Sequence, residues 1–170
     1  MFLAPEIPIS VGRIAISDGA PGIFDTLRLM RRLVNDYKTN PQIRQAAIAV
    51  AFLTPAQDEL SEIESVFNFV RDHIRYTQDV YGVETLATPD KTLLLRVGDC
   101  DDMTVLLGAM LESIGYQTRF VVEGYHDLEN YEHVYLEVYC PRTGAWIALD
   151  ATEQNAMGWS PPDALIRWSE

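Results

Sequence analysis

Cys100, His133 and Asp150 are the residues of this 170-residue chain whose types and order suit acyl-transfer chemistry. A thiolate attacks carbonyl carbon, an imidazole takes and returns a proton, and a carboxylate fixes the imidazole's tautomer. Cys100 stands in Arg-Val-Gly-Asp-Cys-Asp-Asp (96–102), a polar turn unlike a core position. Asp99 is a good N-cap, so Cys100 is expected to open a helix, where the partial positive charge of the terminus favours the thiolate. Gly98 reads as conformational relief for a sharp turn just ahead of it. Asp99, Asp101 and Asp102 pull the other way, because negative charge beside the sulfur opposes its ionisation. Either they turn away onto basic or backbone donors, or they hold a cation. Cys140 lacks such a setting and reads as a reduced packing residue.

Elements to position these groups are legible around them. Met103, Leu106, Leu107, Met110, Leu111 and Ile114 recur at three- and four-residue spacing, so the Cys100 helix buries a wide face, and Gly115 is its stop. His133 lies in Tyr131–Tyr139, an alternating run with His133, Tyr135, Glu137 and Tyr139 on one side and Val134, Leu136 and Val138 on the other. Asp150 closes a strand-like run from Gly144, joined to the previous one by a hairpin loop over 140–144. Gln117–Glu123 supplies a further strand. A helix on this mainly antiparallel sheet can bring Cys, His and Asp to one wall.

Ahead of that unit, helices are expected over Ile23–Tyr37, Pro41–Phe52 and Asp58–Arg75, with a short turn over Lys91–Arg96. Residues 1–21 read as an extended arm with a short strand near Ser10–Ser17. Arg28, Arg31, Arg32 and Lys38 form a basic face on the first helix, read as solvated. His73 reads as structural. The loop Gly124–Asn130, with His126, Asp127 and Glu129, is expected to border the cleft, and the tail from Glu153 to wrap back over the surface.

Gly98-Asp-Cys-Asp-Asp102, then His133 in an aromatic strand, then Asp150 closing the next strand, resembles the transglutaminase-like superfamily of cysteine enzymes over roughly Glu59 to Thr152. The resemblance implies an α+β, cysteine-protease-like fold, with the nucleophile helix on a small antiparallel sheet. Residues 1–57 would be an N-terminal arm and helical extension and 58–170 the core of one compact domain. It implies Cys100 as nucleophile, His133 as base and Asp150 as orienter, with Tyr76 or Gln78 as donors to the oxyanion. Some proteases of the group use calcium near this acidic turn, which would involve Asp99, Asp101 and Asp102, since hard oxygen ligands suit it. No other cofactor is expected, and the cysteines and histidines lack structural-zinc spacing. The short chain, without the flanking β-domains of large animal transglutaminases, resembles bacterial or phage cysteine proteases. These cut amide bonds of a protein or peptide through a thioester. Protein-glutamine transglutaminase and a non-catalytic binding or assembly module are the alternatives.

Bulk properties narrow the partners. The net charge of −12, from 13 basic and 25 acidic residues, argues against nucleic acid. The longest apolar run, Ala46–Leu53, is too short to span a bilayer. The opening residues lack the basic and apolar regions of a signal peptide, and the two cysteines lack the spacing of a disulfide framework. A cytoplasmic monomer is the expectation.

Overall fold

A computed structural model describes residues 20–52, 58–78, 85–126 and 131–170. The expected arm with its strand near Ser10–Ser17, and Asp127 and Glu129 of the cleft loop, lie outside them. The described chain runs α1 (Ala20–Tyr37), α2 (Pro41–Ala51), α3 (Glu59–His73), β1 (Arg75–Tyr76), α4 (Pro89–Leu95), β2 (Val97–Gly98), α5 (Cys100–Ser113), β3 (Gln117–Gly124), β4 (His133–Cys140), β5 (Ala145–Leu149) and β6 (Ile166–Ser169). This is an α+β fold, with helices gathered on an antiparallel sheet ordered β5-β4-β3-β6.

α5 organises the core. Every residue from Asp101 to Leu111 is buried. The spacing of its large apolar residues predicts one wide buried face, but α5 packs against the sheet through β3 and β4 and against α1, α2, α3 and α4 elsewhere. A helix covered on all sides must be apolar nearly all round. Val105 and Ala109, outside the expected stripe, are therefore also fully buried. A Cβ on Gly108 would come within 3.2 Å of Val34 Cγ2, so the glycine lets α1 approach closely. Leu27, Met30 and Val34 of α1 and Ile43 and Ala47 of α2 belong to the same core as Ile63, Phe67 and Val70 of α3.

The basic face of α1 is only partly solvated. Arg31 donates to Glu112 on α5 at 2.8 Å and lies over the Phe120 ring, and Lys38 reaches the same carboxylate at 3.1 Å. The acidic partner of this face is thus internal, and it ties α1 to α5. Arg28 and Arg32 pair locally with Asp25 and Asp36.

The expected tail over the surface is corrected as well. Residues 150–165 do run irregularly, but Ile166–Ser169 return as β6, antiparallel to β3, with Glu123 facing Arg167. The strand is short and alternates half-buried with exposed, a weak pattern. The two-residue parallel pairing of β1 with β2 is too short for any periodicity, yet it sets Tyr76 opposite Gly98, beside the turn that leads into Cys100.

Candidate active site

Local sequence explains where each group sits. Asp99 is the N-cap of α5, its Oδ1 accepting from Asp102 N at 3.3 Å, so Cys100 is the first helical residue. Arg96, just past α4, takes the left-handed conformation (φ 58°) and turns the chain into β2. Gly98 does not supply that conformational relief: among the described residues, positive φ occurs at Arg96, Gly115, Gly144 and Gly158. Gly98 is needed for space instead. A Cβ there would meet Asp102 Cβ at 2.7 Å and Thr92 Cγ2 at 3.3 Å.

His133 opens β4 and Asp150 immediately follows β5, which pairs with β4. His133 Nε2 lies 2.8 Å from Asp150 Oδ2. The Asp150 side chain is 1% exposed and that of His133 15%. Asp150 also caps the turn that follows it, its Oδ1 accepting from Thr152 N at 3.1 Å and Thr152 Oγ1 at 2.7 Å. An ionised carboxylate only accepts, so the hydrogen lies on His133 Nε2 and Nδ1 keeps its lone pair.

The acidic turn resolves residue by residue. Asp99 caps the helix, and Asp102 Oδ1 accepts from Ala87 N at 2.6 Å. Asp101 does not turn away: its Oδ1 lies 3.6 Å from Cys100 Sγ. Burial, a hydrogen bond with Asp99 and the Asp99 charge hold the Asp101 carboxyl well above the carboxylate range, so it keeps its proton at neutral pH. Burial first, then the charge of Asp101 once it ionises and the charge of Asp99, also push the Cys100 thiol up. The helix terminus favours the thiolate, but these effects outweigh it, and in this arrangement the sulfur is a thiol at neutral pH.

A prediction follows for Asp101→Asn. The folded state raises the Asp101 pKa from 3.8 to about 9, so its contribution to stability is complete below about 4 and is lost as pH rises toward 9. Asparagine keeps the donor to Asp99 and has no charge to bury. Thermal melts are expected to show the variant gaining several degrees over the parent at pH 8 and little at pH 4. Equal gains at both pH values would contradict the buried-acid account.

As a calcium set, the three carboxylates do not fit. Asp99 and Asp102 face backbone N–H donors, and among the described residues no three His, Cys, Asp or Glu side chains gather as a metal site.

Beside the His133–Asp150 pair opens a cleft of about 440 Å³, walled by Tyr76, Tyr125 and Trp159 with Glu153 and Thr152. Tyr76 is one of the expected oxyanion donors. Burial first, then the charges of Cys100, Asp99, Asp101 and Asp150, raise its phenol, so it stays a donor. Gln78 is exposed and is not among the described lining residues. Cys100 is not among the described lining residues either. His126 pairs with Glu132 at 2.7 Å, and among the described residues of the loop Tyr125 lines the cleft. His73 stacks on Phe69, with Nδ1 3.1 Å from Phe69 O. Cys140 is fully buried, and both cysteines are free.

The sequence reading missed what holds that wall. Glu123 is fully buried, 0% exposed, in a hydrogen-bonded set. Its Oε1 accepts from Tyr135 Oη at 2.8 Å and Arg167 Nε at 2.5 Å, and its Oε2 from Tyr125 Oη at 2.9 Å. Glu123 faces His133 across the β3–β4 register. The available signal was a lone acid in an apolar strand, two residues before a tyrosine on the same side.

The family model of the transglutaminase-like superfamily matches residues 46–151. The chain belongs to that superfamily. No curated protein sequence matches it. Among solved structures, a candidate cysteine protease from Cytophaga hutchinsonii aligns with TM-score 0.56 and 16% identity, over 87% of this chain and 53% of that one. The superfamily chain described here thus spans about half of that protein's length. LapG from Legionella pneumophila aligns with TM-score 0.55 and 18% identity, over 81% of this chain and 80% of its own. One LapG structure is calcium-bound. A Rad4–Rad23 complex with DNA carrying a 6-4 photoproduct aligns with TM-score 0.56 and 14% identity, over 80% of this chain and 38% of that one. At these identities the likeness is one of fold. Among the described residues no helix is long and apolar enough to cross a membrane.

Proposed function

We propose that this superfamily member is a cysteine hydrolase of amide bonds, with Cys100, His133 and Asp150 as its triad. The 2.8 Å pairing of His133 Nε2 with Asp150, beside a helix that starts at Cys100, carries the reading. Cys100 Sγ attacks the carbonyl carbon as its proton passes to His133 Nδ1. The imidazolium returns that proton to the departing amine, the C–N bond breaks and a thioester remains. Water then attacks the thioester, His133 taking its proton and returning it to the sulfur, and the acid is released. In this reading the Cys100 backbone N–H, a first-turn donor, and the Tyr76 hydroxyl donate to the developing oxyanion. Because the donors around Cys100 do not form a metal set, no step runs through calcium. The DNA-binding role of one structural neighbour is not carried over, since a chain of net charge −12 lacks a phosphate-neutralising surface. The free thiols of Cys100 and Cys140 suit a reducing, cytoplasmic setting.

Partitioning of the acyl group tests hydrolysis against transfer. A glutamine-containing test protein is offered with a fluorescent primary amine, with and without calcium. The expected outcome is peptide fragments or ammonia with no incorporated label. Incorporation of the amine would instead make the protein a transglutaminase.

A further inference from the structure

Three aromatic rings and a carboxylate meet in the cleft beside His133. Tyr125 is held from behind by Glu123, so its ring is fixed before any ligand arrives. The segment that presents Trp159 is pinned to β5, Gly158 N donating to Ala148 O at 2.8 Å, and Trp159 N closes a turn onto Ala156 O at 3.2 Å. Tyr76 completes the aromatic wall, and Glu153 is an exposed carboxylate on its rim. No lysine or arginine is among the described lining residues. Elsewhere in this chain aromatic rings are covered by its own cations, Arg31 over Phe120 at 4.3 Å and Arg119 over Trp146 at 4.4 Å. Ring faces with a nearby carboxylate attract ammonium and guanidinium groups.

We infer that this cleft, which adjoins His133, is a subsite for a basic side chain, lysine or arginine, of a peptide substrate. Its service to a substrate rests on the hydrolase reading, in which His133, one of its lining residues, exchanges a proton with the scissile amide. The peptide's cation sits over the rings of Tyr125 and Trp159 and pairs with Glu153. The cleft volume of about 440 Å³ accommodates one long side chain and its flanking backbone.

Binding is measured by calorimetry and by tryptophan fluorescence, using acetyl-trilysine amide and acetyl-trialanine amide as probes on the full chain. Trilysine is expected to bind about tenfold more tightly than trialanine, and Glu153→Gln and Trp159→Ala each to weaken it about three- to tenfold. Glu153 is one of 25 acidic residues, so attraction by bulk charge alone would barely respond to its loss. If Trp159→Ala fails to fold, the exposed Glu153→Gln change decides alone. Equal binding of the two peptides, or trilysine binding indifferent to Glu153→Gln, overturns the subsite. Binding is expected to persist in Cys100→Ser. An inert Cys100 with Glu153-dependent trilysine binding would leave the subsite standing and remove the hydrolase reading. An acylated Cys100 without trilysine binding would do the reverse.

Discussion

Asp150→Asn is expected to reduce acylation of Cys100 by about 10²–10⁴-fold while leaving the fold intact. Asp150 Oδ1 accepts from Thr152 N and Oγ1, so the amide oxygen of asparagine takes that side. Its NH2 then faces His133 Nε2 and requires a lone pair there. The hydrogen moves to Nδ1, and the nitrogen left for the sulfur is a donor where a base is needed. His133→Ala removes the base altogether, with a loss of about 10²–10⁴-fold. The need for a base at the moment of attack is acute here, because burial and the neighbouring acids hold Cys100 as a thiol. Acylation rates with an activated ester such as p-nitrophenyl acetate, alongside thermal melts of each variant, check this. Folded variants that acylate at the parent rate would remove His133 and Asp150 from the mechanism.

Gly98→Ala carries the other large effect, through packing. The added Cβ would stand 2.7 Å from Asp102 Cβ, a distance that requires something to shift. Neither neighbour yields easily. Asp102 is on the first turn of α5 and holds Ala87 N, and Gly98 O accepts from Thr77 N at 2.9 Å in the β1–β2 pairing. Overpacking of this kind costs about 1–3 kcal/mol. At roughly 2–4 °C per kcal/mol, the melting temperature should fall by several degrees. Relief by displacing the α5 start moves Cys100 itself, so acylation should fall more than the stability loss explains. A variant with unchanged melting temperature and rate would show that the turn has slack.

Much of this was legible because the signals are local and strong. Asn40-Pro41 marks a helix start, and Asn40 Oδ1 does accept from Gln42 N and Ile43 N. Asp99 before Cys100, and the alternation around His133, placed Cys100 on a helix and His133 on a strand. What escaped depends on contacts distant in sequence. β6 is four residues long and draws its stability from pairing with β3 and from Arg167 on Glu123. The cleft wall takes Tyr125 from the end of β3 and Trp159 from an irregular segment, and no periodicity joins them. The role of Gly98 was misread because a glycine's sequence context does not distinguish a need for angles from a need for space. The acidic turn was recognised as a conflict, but only burial shows that Asp101 resolves it by keeping its proton.

The central claim is that Cys100 carries the acyl group with His133 and Asp150 behind it. The most direct test is to expose the protein briefly to p-nitrophenyl acetate, quench in acid, digest it and locate the acetyl group by mass spectrometry. The expected result is acetyl on Cys100, removed by neutral hydroxylamine as a thioester, and far slower to appear in Asp150→Asn. Acetyl confined to lysines or Cys140, or formed on Cys100 at the same rate in Asp150→Asn, would contradict the account.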